Sequence, residues 1–215
     1  VDATRQNDGV SWQRGALTEA ELAALDSLSA INAKPGRRLG LGPATRAALR
    51  PVDACVQSIA PDMAPVRLVA FDKTAQSNWA LPWHQDRVIA VAQRHDVSGY
   101  DNWTRKDGVW HCEPPVSLLQ QMLFVRVHLD DCDRDGGAME IAIGSHHAGK
   151  VDAGSAMAEA QRYPGHVGQA QRGDVLMMDM LTLHRSLPAS KPTARRVLRV
   201  DYAAVSLPAP LAWAK

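Results

Sequence analysis

One imidazole and one carboxylate separated by a single residue, in Trp83-His84-Gln85-Asp86, form the first pair in this sequence that could do chemistry together. In an extended segment, side chains two apart project to the same side, so His84 and Asp86 face one way and Gln85 the other. Two ligands this close cover one face of a metal ion, and a second imidazole from elsewhere completes the two-histidine, one-carboxylate triad that suits non-haem iron(II). His184 is the best candidate, because the turn Gly173-Asp174 and the apolar run Val175 to Met180 can deliver it from a neighbouring strand. Three protein ligands leave the opposite face open for a bidentate 2-oxoacid and then dioxygen, which a closed four-ligand zinc site would not allow.

The segment after His184 adds a cosubstrate signature. Ser186 stands two residues on and Arg195 eleven on, with Pro188 and Pro192 shaping the connection. A dicarboxylate that chelates iron through its keto-acid end needs a cation at its far carboxylate, and an arginine fork makes the bidentate contact that lysine cannot copy. Ser186 can add a hydrogen bond. The competing reading makes Arg195 and Arg196 a solvated charge pair. The other histidines, His95, His111, His128, His146, His147 and His166, read as polar surface or hydrogen-bonded residues, with His111 the hardest to set aside.

The elements that must position these groups are legible in outline. Thr18 with Glu21 makes a capping box and Leu17 with Leu22 a hydrophobic staple, which predicts a helix running through Leu25 and Leu28 toward Ile31 until Lys34-Pro35-Gly36 breaks it. Val52, Cys55, Val56 and Ile59 predict a second helix, closed by Pro61. From Pro65 the period shortens, and strands are expected at Val66 to Phe71, Val88 to Ala92, Met122 to Leu129, Ala138 to Ile143, Val175 to Met180 and Val197 to Ala203. Short helices followed by antiparallel strands predict a barrel-like double sheet.

Alternation along the last strand puts Arg195, Val197, Arg199 and Asp201 on a face toward the mouth between the sheets, and Leu198, Val200 and Tyr202 on a face toward the helices. On the Met122 strand the same logic separates Leu123, Val125, Val127 and Leu129 from Met122, Phe124, Arg126 and His128. Arg126 then either lines the pocket or pairs with an acid such as Asp201, and the pairing is favoured because buried arginines are generally paired. The long, turn-rich stretch from Arg94 to Pro115 is the expected lid. Its Trp103, Trp110 and His111 either wall a substrate pocket or pin the loop to the barrel.

Composition narrows the partners. A formal net charge of +1 on 215 residues gives no electrostatic reason to expect nucleic acid or an anionic membrane, so a small-molecule substrate is expected. Cys55, Cys112 and Cys132 form neither a disulfide framework nor a zinc ribbon. With no apolar run near the roughly 20 residues of a membrane span and no signal-peptide pattern in Val1 to Trp12, the expectation is a soluble, cytoplasmic single domain over residues 1–215.

Taken in order, His84-Gln85-Asp86, the Asp131 to His147 stretch with Gly136-Gly137 and Gly144-Ser145-His146, Gly173-Asp174, His184 with Ser186, and Arg195 resemble the phytanoyl-CoA dioxygenase family over roughly Val66 to Ala203. The resemblance implies a mainly β fold with N-terminal helices and a double-stranded β-helix (jelly-roll, cupin-like) core. Residues of about 1–64 would form a helical support, about 65–205 the core and about 94–115 the lid. It implies iron(II) on His84, Asp86 and His184, and 2-oxoglutarate on Arg195 and Ser186. Lys73 takes the place of a family lysine that approaches the cosubstrate; by residue type alone it is equally a surface lysine at a strand end.

Halogenating members of the wider group replace the carboxylate ligand by a small residue, so Asp86 favours hydroxylation of a C–H bond of a small organic metabolite, with dioxygen consumed and succinate and carbon dioxide released. A short, nearly neutral chain gives no ground for carrying over an acyl-CoA substrate. The alternatives are a cupin-like metal-dependent hydrolase or isomerase and a non-catalytic 2-oxoglutarate-binding sensor domain.

Overall fold

The structure is a computed structural model that describes residues 7–29, 36–191 and 195–215. Its chain runs β1 (Val10–Gln13), α1 (Glu19–Asp26), β2 (Arg37–Leu39), α2 (Pro43–Gln57), β3 (Ala64–Lys73), β4 (Leu81–His84), β5 (Ile89–Val91), β6 (Asp101–Lys106), β7 (Val109–Glu113), α3 (Val116–Leu119), β8 (Met122–His128), β9 (Met139–Ala142), α4 (Ala156–Ala160), β10 (Gly165–Gly168), β11 (Val175–Asp179), β12 (His184–Ser186) and β13 (Arg195–Ala203).

All six strands expected from periodicity are present, and pairing is antiparallel throughout the described residues. A six-stranded sheet in the order β1-β11-β8-β13-β3-β2 faces a four-stranded sheet in the order β10-β9-β12-β4, and β5-β7-β6 form a third, three-stranded sheet. The protein is a mainly β jelly roll with N-terminal helices. Met122, Phe124, Leu176 and Met178 of the large sheet pack against Met139 and Ile141 of the small one. On the outer face of the large sheet, Leu198, Val200 and Tyr202 pack with Leu22, Leu25, Leu49, Val52 and Val56 of the helices. The two faces read from the sequence of β13 and β8 are therefore the two faces observed.

The helices differ from expectation in extent. The capping box at Thr18 starts α1, which stops at Asp26 with Ser27 as C-cap. The expected continuation to Ile31 and the breaker Lys34-Pro35 lie outside the described residues, as does Pro192. Helix α2 begins nine residues before the expected Val52, at Pro43, which sits in the first turn after Gly42. Its first half is alanine- and arginine-rich and shows little apolar period, although Leu49 there is fully buried. The N-terminal support is also not wholly helical: β1 and β2 extend the large sheet at its two edges. Their short polar sequences, Val10-Ser11-Trp12-Gln13 and Arg37-Arg38-Leu39, carry no strand signal of their own and are recruited by β11 and β3.

No helix among the described residues is long and apolar enough to cross a membrane.

Candidate metal centre and cosubstrate pocket

Strand register brings the two histidines together. In the small sheet β12 pairs antiparallel with β4, and His184 lies directly opposite His84, the arrangement that places two side chains on one face at closest approach. Their rings are 4.4 Å apart between centroids. β4 ends at His84, and Gln85 points away from the two histidines: its side chain donates to the carbonyls of Gly149 and Leu181 at 2.7 Å and accepts from the backbone N–H of Val151 at 2.8 Å. That anchored glutamine returns Asp86 to the histidine side. One donor atom from each of His84, Asp86 and His184 lies within 4.8 Å of the others.

The ring nitrogens are assigned by their surroundings. His84 Nδ1 is 2.7 Å from the carbonyl of Pro82, and His184 Nδ1 is 2.9 Å from that of Thr182. A carbonyl can only accept, so each Nδ1 carries the proton and each Nε2 turns a lone pair toward the shared point. Burial, then the neighbouring His184, pushes the His84 imidazole down to about 4, keeping it neutral. Asp86 is held on its other side: Arg199 Nη1 contacts Oδ1 at 2.6 Å. Burial alone would raise this carboxyl, but the Arg199 guanidinium, with His184 and His84, holds it well below the usual carboxylate range. Its Oδ2 is buried, has no hydrogen-bond partner among the described residues, and sits 3.3 Å from His184 Nε2. Two lone pairs and an anionic oxygen facing one point repel one another unless a cation lies between them, and this donor set fits an iron(II) ion.

A cavity of about 240 Å³ opens beside this point, lined among others by Phe71, Trp79, Leu81, Val88, Phe124 and Met139, with Arg67, Lys106, Arg126, Ser186 and Arg199 as its polar wall. Behind Ser186, one of its lining residues, lies a pair of buried cations. Lys73 Nζ donates to Ser186 Oγ at 3.1 Å and to the carbonyl of Leu187. Arg195 faces Lys73 across the β13/β3 pair. Arg195 is 1% exposed, and only its Nη1 finds partners, the carbonyl of Gly137 at 3.4 Å and Cys132 Sγ at 3.7 Å. Its Nε and Nη2 have none among the described residues. Trp79 roofs both cations, 4.6 Å from Lys73 and 5.9 Å from Arg195. Burial, then Arg195 and Arg126, pushes the Lys73 amine down to about 8. A buried guanidinium fork with two open donors is the feature a bound carboxylate would complete.

The family model described as Phytanoyl-CoA dioxygenase (PhyH) matches residues 8–197 of the sequence. The chain belongs to this family. Members of the phytanoyl-CoA dioxygenase family use iron(II) and 2-oxoglutarate, so the chain is a 2-oxoglutarate-dependent non-haem iron enzyme in kind. No curated protein matches the chain. Among solved structures, the 2-oxoglutarate-dependent carbocyclase SnoK from nogalamycin biosynthesis is similar, with a TM-score of 0.66 at 13% identity over 93% of this chain and 81% of that one. The epimerase SnoN, solved with Fe3+, 2-oxoglutarate and nogalamycin RO, gives 0.66 at 16% identity over 99% and 84%. HygX from Streptomyces hygroscopicus, solved with nickel, 2-oxoglutarate and hygromycin B, gives 0.60 at 17% identity over 93% and 84%. At these identities the likeness establishes the fold.

Within that family fold, the residues expected to line a substrate pocket separate. Trp103 and Trp110 contact each other edge to face at 6.4 Å and pack against the core; neither lines the cavity beside the triad, so they are corrected to the pinning role. The stretch 94–115 is a β6–β7 hairpin bonded to β5, and only Lys106 at its tip reaches that cavity. His111 also lies elsewhere: its Nδ1 meets the carbonyl of Val109 at 3.0 Å and its Nε2 accepts from Arg38 Nε at 3.2 Å. It lines a different surface cavity with Arg38 and Arg67. His128 is buried and stacks on Trp12 at 5.7 Å. Arg126 does line the triad's cavity, and its favoured pairing with Asp201 is corrected. That carboxylate is held by Arg199 at 2.7 and 3.1 Å and by Arg67 at 3.3 Å. Sequence reading missed Trp79 and Leu81, which lie on or next to β4, a strand with no periodic signal. Phe124 was available from the alternation of β8 and went unused.

Proposed function

We propose that this chain is an iron(II)- and 2-oxoglutarate-dependent dioxygenase that hydroxylates an unactivated C–H bond of a small organic metabolite, releasing succinate and carbon dioxide. The observation that carries the reading is that two imidazole lone pairs and an unpartnered carboxylate oxygen converge within 4.8 Å beside a buried arginine with open donors. His84, Asp86 and His184 would hold the metal. Iron(II) held there would supply activation of dioxygen, coupled to oxidative decarboxylation of the cosubstrate.

The chain's own residues do the placing. Arg195, Ser186 and Lys73 would grip the far carboxylate of 2-oxoglutarate and so orient its keto-acid end toward the triad. Arg199 fixes Asp86 so that one carboxylate oxygen is committed to the guanidinium and the other to the metal. Phe71, Trp79, Leu81, Val88 and Phe124 give the substrate side an apolar wall that excludes water from the reacting centre. The 94–115 hairpin, through Lys106, forms part of the rim and fits the role of a lid. Retention of Asp86 favours hydroxylation over halide transfer, because the carboxylate occupies the position a halide would need. A hydrolase built on the same triad would have no use for a dicarboxylate anchor such as Arg195, eleven residues past its last ligand.

The test is spectroscopic, then analytical. Adding 2-oxoglutarate to the anaerobic iron(II) protein should raise the weak visible charge-transfer absorption of the chelate, and air with the correct metabolite should release succinate and a product heavier by one oxygen atom. Absence of both absorption and succinate would defeat the reading. A product isomeric with its substrate, or lighter by two hydrogens, would replace hydroxylation by epimerisation or by ring formation or desaturation.

A further inference from the structure

Arg126 is the cation in this site that no role above uses. It stands at the centre of β8, opposite Arg199 on β13 and Leu176 on β11, and is 6% exposed. Among the described residues its Nη1 reaches only the thioether of Met139, at 3.6 Å, and its Nε and Nη2 have no partner. Asp86 and Asp201 are both engaged by Arg199. Met139, the residue Arg126 touches, lies directly opposite Ser186 in the β12/β9 pair, and all three line the same cavity, so the guanidinium lies on the Ser186 side of it. A charge buried this deeply with two idle donors is costly unless an anion joins it. Arg126, unlike Arg195, is itself part of the cavity lining.

We infer that Arg126 is a second arginine for the far carboxylate of the dicarboxylate cosubstrate, closing a two-guanidinium clamp with Arg195 around the point where Ser186 and Lys73 also converge. This rests on the 2-oxoglutarate reading given above and adds a specificity to it. Two forks on one carboxylate reward a five-carbon oxodiacid and leave a mono-acid such as pyruvate without the interaction. The clamp is built from β8 and β13, adjacent strands of the large sheet, so its two arms are held at fixed separation by the ladder between them.

The experiment is calorimetric titration of 2-oxoglutarate, and separately of pyruvate, into the manganese(II)-loaded full chain and its Arg126→Met, Arg126→Lys and Arg195→Met variants, with thermal melts of each ligand-free protein. Arg126→Met should weaken 2-oxoglutarate by about tenfold to a hundredfold, as expected for a lost charge-assisted contact, and leave pyruvate binding unchanged. Arg126→Lys should fall between. The ligand-free Arg126→Met protein should melt no lower than the parent, because methionine removes an uncompensated buried charge; a structural role for the arginine would lower it.

A 2-oxoglutarate affinity within about twofold of the parent in a folded Arg126→Met protein would overturn the clamp and leave Arg195 as sole anchor. Equal losses for 2-oxoglutarate and pyruvate would overturn it too, by moving Arg126 to the keto-acid end. Failure of the parent to bind 2-oxoglutarate at all would remove the functional reading itself, an outcome visible before any variant is compared.

Discussion

At the scale of single residues, the site is governed by which lone pairs are already committed. His84 and His184 each give Nδ1–H to a carbonyl two residues earlier in the chain, Pro82 and Thr182, so the backbone itself sets the tautomer. Asp86 gives Oδ1 to Arg199, and its buried Oδ2, without a hydrogen-bond partner among the described residues, is the atom proposed for the metal. Replacing Asp86 by alanine should abolish retention of iron(II) in a chelator competition, and undiminished binding would refute its assignment as a ligand. Arg199→Met should act one step further out. It leaves Asp86 and Asp201 buried without their fork, which costs about 3–5 kcal/mol of stability in a denaturant melt. It should also weaken metal binding by about ten- to a hundredfold, the usual effect of losing a residue that orients a ligand. Arg199→Lys should recover part of the stability, and an unchanged metal affinity in both variants would mean that Asp86 needs no positioning. The triad was legible in the sequence because His84 and Asp86 are two residues apart and a strand's period of two needs no tertiary knowledge. The open donors of Arg126 were not, because the pairing of a buried arginine depends on which other cation reaches the nearest acid first; here Arg199, two residues from Asp201 on the same strand, wins it.

At the scale of elements, the large strands were readable and the small ones were not. Strands β3, β8, β11 and β13 are buried along most of their length and announce themselves by apolar content. The three-residue β12 and four-residue β4 carry the histidines and show no alternation of apolar and polar residues; they are strands because their neighbours pair them. The turn at Gly136-Gly137 shows how such an element supports the site. Gly137 has φ of +74°, and a Cβ there would stand 2.8 Å from Lys73 Nζ and 3.0 Å from the Leu187 carbonyl. Its own carbonyl accepts from Arg195. Gly137→Ala should therefore cost about 1–2 kcal/mol from backbone handedness alone and also weaken 2-oxoglutarate, since both Lys73 and the Arg195 acceptor must move. Gly108→Ala is the control: φ is +81° with open space around the added carbon, so it should lose stability in a urea melt while binding 2-oxoglutarate as the parent does. Equal behaviour of the two variants would separate the Gly136-Gly137 turn from the cosubstrate.

At the scale of the whole molecule, a formal net charge of +1 conceals a strongly uneven interior. Lys73, Arg126 and Arg195 are all buried, and among the described residues no carboxylate partners Arg126 or Arg195. Composition gave no reason to expect nucleic acid or a membrane, and it could not reveal this cluster, because a balance over 215 residues averages away a cluster of three. Cations buried together in this way carry an electrostatic cost, which the dicarboxylate proposed above would relieve. Metal and 2-oxoglutarate together should raise the melting temperature well beyond metal alone. At a hundred times its Kd, a ligand of the native state adds about 2.7 kcal/mol, roughly 5–10 °C for a domain of this size. The decisive variable is salt. Contacts made by exposed cations weaken as the screening length falls from about 8 Å at physiological ionic strength to about 3 Å at 1 M, whereas buried ones are screened far less. The 2-oxoglutarate-dependent shift should therefore survive in 1 M sodium chloride when ligand is held at the same multiple of its measured Kd, with the Kd itself changing little. A Kd that rises steeply with salt would place the dicarboxylate on surface lysines and arginines instead of on the buried cluster beneath Trp79.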